Sequence, residues 1–201
     1  MVNVTKINKL FPTVVHEFQY IADDNLTKAI KNEDLETKII NHTSSSVDNN
    51  LQKRKEYKPL VDKILSTTKE ICELHEYEYK SIEITNLWVN ASPPKSMHSP
   101  HTHSNNIFSG VWYPFEDVSK TPIMFLDPRP GSNVMIPYTF TRTPLNSNMT
   151  QFPPTKGMGL IFPSWLMHFV PPALDNRVSV SWNILLRGEY GNPADKQNAH
   201  I

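Results

Sequence analysis

From Ile82 to Leu186 the chain is written as short apolar runs divided by turn residues, and this patterning restricts the fold more than any other feature. Residues 82–90, IEITNLWVN, alternate, which places Ile82, Ile84, Asn86, Trp88 and Asn90 on one side of a strand. Further strand-like runs occupy 107–113, 122–126, 133–140, 158–162 and 177–186. The clusters 127–131 (DPRPG) and 153–157 (PPTKG) read as turns between them. Most of the 17 prolines also lie after residue 90, as rigid turns between short strands require.

The first 80 residues are patterned differently. Residues 10–21 are β-branched and aromatic and predict a strand after Pro12. Asp23-Asp24 reads as a helix start with Leu26, Ala29 and Ile30 on one face, running unevenly toward Ile40. The polar stretch 41–50, NHTSSSVDNN, reads as a mobile surface loop carrying a solvated His42. From Tyr57 to His75, Leu60, Val61, Ile64, Leu65, Thr68, Ile71, Cys72 and Leu74 recur at helical spacing, the stripe of a helix packed on a sheet. Cys72 fits as a small core residue, and His75 stands where it can cap the helix or favour its dipole. Two helices followed by many short strands predict an α+β chain, mainly β, built as a sandwich or barrel. No repeat or linker divides it, so residues 1–201 are expected to form one domain. In it, 1–80 (a strand and supporting helices) flank a β core over 82–187.

Charge and cysteine content exclude several roles. Lys plus Arg equals Asp plus Glu at 20 each, so no global field favours nucleic acid or an anionic membrane. The single cysteine forbids an internal disulfide and suits a reducing cytoplasm. No apolar run approaches the ~18 residues of a membrane span, and the start MVNVTKINKLFP lacks a signal-peptide core, so a soluble, unprocessed chain is expected. An exposed edge strand would allow a homodimer.

The chemistry concentrates in two places. His98, His101 and His103 fall within six residues, and on extended backbone His101 and His103 project from the same face. Neutral imidazoles commonly hold iron, zinc, copper or nickel. His168 lies 65 residues beyond His103, after a Pro-Ser turn and among large apolar neighbours, where it serves either as a core residue or as a distant third ligand. Arg177, Ser179, Ser181 and Asn183 then alternate with Val178, Val180 and Trp182. That polar face is either solvated or an inward clamp for a carboxylate, and periodicity alone leaves both open. Trp88, Trp112, Tyr113, Phe162 and Trp165 are candidates for lining a dry pocket, with ordinary core packing as the alternative.

Together, His98-x-x-His101-x-His103, Ser109-Gly110-Val111-x-Tyr113, Phe162-Pro163-Ser164-x-Leu166-x-His168-x-Val170-x-Pro172 and Arg177-x-Ser179-x-Ser181-x-Asn183 resemble the iron(II)- and 2-oxoglutarate-dependent oxygenases, most closely a small bacterial and phage branch. The resemblance covers most of 82–187. It implies a double-stranded β-helix (a cupin-like jelly roll) with a metal at its mouth and the N-terminal helices outside. Carried over, it makes His101, His103 and His168 the catalytic metal ligands, with Arg177 and Ser179, and Asn90 beside them, holding 2-oxoglutarate. His103 takes the place of the usual carboxylate. The resulting three-histidine face is neutral and suits iron(II), zinc or nickel. In an alternative set, His98, His101 and His168 bind the metal, and Asp127 is a remote carboxylate candidate. The implied activity is hydroxylation of a small-molecule or side-chain substrate by O2, with release of succinate and CO2. A three-histidine enzyme that does not use 2-oxoglutarate, and a non-catalytic jelly-roll binding module, are the competing readings. Stretches 41–56, 91–100 and 141–157 are expected to frame the mouth.

Overall fold

The computed structural model describes residues 5, 6, 8–37, 43–115, 120–129, 131, 132, 134–192, 194 and 196–201. In chain order its strands are β1 (His16–Gln19), β2 (Leu35–Thr37), β3 (Ser44–Ser46), β4 (Ser81–Ser92), β5 (His98–His101), β6 (Phe108–Trp112), β7 (Ile123–Leu126), β8 (Met149–Phe152), β9 (Met158–Pro163), β10 (His168–Val170), β11 (Arg177–Arg187), β12 (Glu189–Tyr190) and β13 (Ala199–His200). Helix α1 spans Asp24–Lys31 and α2 spans Lys58–Leu74. A seven-stranded sheet runs β1-β9-β6-β11-β4-β3-β2 and a four-stranded sheet runs β5-β10-β7-β8, with all described pairings within them antiparallel. The expected mainly-β jelly roll with external helices is the observed architecture. Among the described residues no helix is long and apolar enough to cross a membrane.

Two cores follow from the alternation of the long strands. Leu60, Ile64, Ile71 and Cys72 of α2 pack on Leu87, Val89, Val180, Trp182 and Ile184, covering the outer face of the larger sheet. Val111, Tyr113, Ile123, Phe125, Leu160 and Phe162 fill part of the space between the sheets. Gly110 is required where β6 meets β11, since a Cβ there would lie 2.2 Å from the Trp182 ring. The opposite face of β11 is free to be polar because the second sheet, rather than solvent, stands across from it.

Several sequence expectations change. The alternation in β4 does not hold one face throughout, because the β4–β11 register shifts at Thr85. Ile82 and Ile84 thereby turn toward the helices with Leu87 and Val89, while Asn86, Trp88 and Asn90 face the inter-sheet space. Such a bulge adds one residue and reverses the alternation beyond it. Helix α1 stops at Lys31, where Asn32 caps it, and residues 35–37 are strand. The polar stretch expected as a loop contains β3, whose serines pair with Ala91 and Asn90 of β4. His42 lies outside the described residues. The apolar run 134–140 is not a strand: β7 pairs directly with β8, leaving the run outside the sheet with Phe140 95% exposed. Pro137 within it, which cannot donate to a ladder, and the direct pairing of β7 with β8, which fills the edge of β7 beside the run, account for the difference.

Candidate active site

The inter-sheet space opens into a cavity of about 540 Å³. The four-stranded sheet contributes its histidines. His101 on β5 lies directly opposite His168 on β10, so two short strands bring together residues distant in sequence. His103 follows β5 by two residues, and its backbone N–H donates to the carbonyl of Ser164, fixing the turn. One nitrogen from each of His101, His103 and His168 lies within 4.8 Å of the others. The His103 and His168 rings are parallel within 3° and the His101 and His168 centroids are 4.3 Å apart.

Backbone carbonyls select the imidazole nitrogens that face the cavity. Nδ1 of His101 lies 2.7 Å from the Ser99 carbonyl, and Nδ1 of His168 lies 2.9 Å from the Leu166 carbonyl. A carbonyl only accepts, so Nδ1 carries the proton and Nε2 offers its lone pair. Burial holds His168 down to about 3, and burial with the neighbouring His101 lowers His103 to about 4. Both are therefore neutral at pH 7, the form in which imidazole binds a metal. His98 lines the cavity beside them, its ring centroid 6.4 Å from that of His101, but it is outside the three-nitrogen cluster. Asp127 is also outside it: the carboxylate forms a turn with Arg129, which lowers its pKa by hydrogen bonding. The cluster contains no carboxylate.

Across the cavity, β11 presents Arg177, Ser179, Ser181 and Asn183 inward. Arg177 is only 2% exposed. Its Nη2 donates to the Tyr113 hydroxyl at 2.8 Å and its Nη1 to the Ser179 hydroxyl at 3.3 Å, while the buried Nε has no partner among the described residues. Two neutral hydroxyls do not balance a buried guanidinium, and such a cation is costly without an anion. Asn90 is buried on the same wall, donating to Ser181 at 3.0 Å and accepting from the Trp88 indole at 3.1 Å.

The structure gathers His101, His103, His168, Arg177, Ser179 and Asn90 around one cavity, with Trp88 and Phe162 among its lining. Trp112 is instead in the helix-side core, and Trp165 is 57% exposed. Of the stretches expected at the mouth, Thr43, Ser45, Ser46, Val47, Asn49 and His98 line it, whereas no described residue of 141–157 does. Sequence reasoning assigned Tyr113 to the pocket lining and missed its support of Arg177. Its place in the Ser109–Tyr113 pattern was the available signal. Glu36, also at the cavity, went unnoticed because the three-residue β2 lacks apolar alternation.

Three imidazoles and a buried, anion-seeking arginine on one jelly-roll cavity suit a divalent metal and a carboxylate-bearing co-substrate. Residues 86–183 match the family described as "Putative 2OG-Fe(II) oxygenase". That stretch is a 2-oxoglutarate- and iron(II)-dependent oxygenase domain, and the protein is an enzyme of this class, with iron(II) and 2-oxoglutarate as cofactors. In structure the chain is similar to a prolyl-4-hydroxylase from Pseudomonas putida: TM-score 0.62, 13% identity, covering 88% of this chain and 94% of that one. It is similar to HygX from Streptomyces hygroscopicus with nickel and 2-oxoglutarate bound: TM-score 0.57, 7% identity, 87% and 83% coverage. The epimerase SnoN of nogalamycin biosynthesis is another: TM-score 0.58, 13% identity, 92% and 81% coverage. No curated protein matches the chain in sequence.

Proposed function

We propose that the protein hydroxylates an organic substrate while converting 2-oxoglutarate and O2 to succinate and CO2. In this reading His101, His103 and His168 hold iron(II), and Arg177 holds the far carboxylate of 2-oxoglutarate. When bound, iron(II) and 2-oxoglutarate together turn O2 into a two-electron oxidant, one oxygen atom passing to succinate and the other to the substrate.

The chain's own residues prepare that chemistry in three ways. The Ser99 and Leu166 carbonyls fix the His101 and His168 tautomers and orient Nε2 toward a common point. Tyr113 and Ser179 hold the guanidinium in place by accepting one N–H from each terminal nitrogen, which leaves its remaining N–H groups for an incoming carboxylate. Trp88 and Ser181 fix the Asn90 amide on the wall beside the co-substrate. Three neutral imidazoles put no negative charge at the metal, so a dianionic co-substrate meets no like-charged ligand there.

The observation that carries the reading is the buried Arg177 facing the same cavity as the three-histidine cluster, since a metal enzyme without 2-oxoglutarate has no need of that cation. The test is succinate release from 2-oxoglutarate under air by iron(II)-reconstituted protein. Slow, iron-dependent succinate formation without added substrate, abolished in Arg177→Gln, is expected. Absence of 2-oxoglutarate consumption by protein that binds iron overturns the reading in favour of a three-histidine enzyme of another type.

A further inference from the structure

The cavity face of the larger sheet carries an ordered row. Glu36 on β2 lies opposite Ser45 on β3, Ser45 opposite Asn90 on β4, and Asn90 opposite Ser179 on β11. Direct partners in a sheet project from the same face, and all four residues line the cavity. At the usual strand spacing Glu36 lies about 14 Å from Ser179 along this row. One end of the row is the buried Arg177–Ser179 corner and the other is an exposed carboxylate at the rim. Among the described residues lining the cavity, Arg177 is the one permanent cation and Glu36 the one carboxylate. No described ion pair engages Glu36.

We propose that the substrate carries a cationic nitrogen, an amine or guanidinium, which Glu36 receives at the rim of the cavity. The inference rests on the oxygenase reading of the same site, because that reading commits Arg177 to the co-substrate. With Arg177 so engaged, a phosphate or carboxylate on the substrate meets no remaining lysine or arginine among the described lining residues, and Glu36 repels it. An apolar substrate fares little better. Thr43, Ser45, Asn49 and Asn86 line the wall between the ends, and covering them with hydrocarbon strands their hydrogen-bonding groups. A substrate with a cationic end and a polar stem satisfies both the wall and the rim. Glu36 is then a specificity-determining residue that discriminates by charge.

Three probes that differ in charge test this: Nα-acetyl-L-arginine amide, its uncharged citrulline counterpart, and Nα-acetyl-L-glutamate amide. Each is titrated calorimetrically into nickel-loaded protein, with and without saturating 2-oxoglutarate, after 2-oxoglutarate binding has itself been measured. The arginine probe is expected to bind about fivefold tighter than the citrulline probe, as an exposed ion pair provides, with the glutamate probe weakest. Glu36→Gln abolishes that preference and leaves 2-oxoglutarate affinity unchanged. Equal binding of the three probes, a preference that survives Glu36→Gln, or no binding of the arginine probe by protein that binds 2-oxoglutarate overturns the proposal. Failure of 2-oxoglutarate to bind, with the Glu36-dependent preference intact, overturns the oxygenase reading and leaves Glu36 as a cation-binding residue.

Discussion

Two groups of histidines occupy different parts of this molecule, and both bring imidazoles close together. In the cavity, His101 and His168 lie opposite one another on β5 and β10, with His103 stacked alongside. Elsewhere His16 of β1 meets His75 at the end of α2, Nε2 to Nε2 at 3.1 Å, and His75 stacks on Tyr77. Proximity therefore does not distinguish a ligand set; the hydrogen bonding of each ring does. The cavity histidines His101 and His168 give Nδ1–H to backbone carbonyls and keep Nε2 available, whereas His16 and His75 spend their Nε2 atoms on each other. The cavity also supplies a third imidazole and a buried guanidinium across from it. The His16–His75 pair has no third ligand among the described residues.

The sharpest way to break this comparison is to remove one histidine from each group. His168→Ala is expected to weaken iron(II) affinity by more than about 100-fold, beyond the loss typical of removing a supporting contact. His75→Ala is expected to leave it unchanged; competition with a chelator of known affinity measures both. Next in size is Arg177→Gln, which is expected to weaken 2-oxoglutarate binding by about 10- to 100-fold while iron affinity stays constant. Arg177→Lys does not restore it, because a point charge lacks the forked donor.

The His16–His75 pair yields a pH effect instead of a metal effect. Burial, and then the neighbouring His75, hold the His16 pKa below its ordinary 6.5. The unfolded chain therefore takes up the proton first, so folded stability is full above pH 6.5 and declines as the pH falls below it. Urea unfolding at pH 7 and pH 5.5 is expected to show a smaller decline for His16→Gln than for the wild type, because the substituted chain lacks the imidazole that protonates on unfolding. Smallest is Ser179→Ala, expected to weaken 2-oxoglutarate binding two- to threefold, since its 3.3 Å bond to Arg177 is long and Tyr113 remains.

The same contrast explains what could be read in the sequence. Helix α2 and strands β4, β6, β9 and β11 were legible because their side chains face a core on at least one side, and burial imposes a period. The H-x-H of His101 and His103 was legible because strand geometry alone puts both on one face. That His168 and Arg177 share their cavity depends on which strands pair, and only the oxygenase resemblance anticipated it. β3 was hidden because an all-serine strand on a polar cavity wall has no apolar alternation. The run 134–140 erred the other way: it has the composition of a strand, but Pro137 interrupts it and β7 pairs past it with β8. The bulge at Thr85 left no mark in the pattern, yet it decides which face of β4 reaches the cavity. Glu36 was invisible because β2 is only three residues long, with Leu35 its one apolar member, too short to show a period.

The most direct test of the account is an anaerobic titration of the iron(II)-loaded protein with 2-oxoglutarate, monitored by visible absorption. The account predicts a weak charge-transfer band that saturates with 2-oxoglutarate in the wild type and in His75→Ala, needs far higher concentrations in Arg177→Gln, and never forms in His168→Ala. Iron bound by His101, His103 and His168 with no band at any concentration of 2-oxoglutarate, or a band that is indifferent to Arg177, would contradict it.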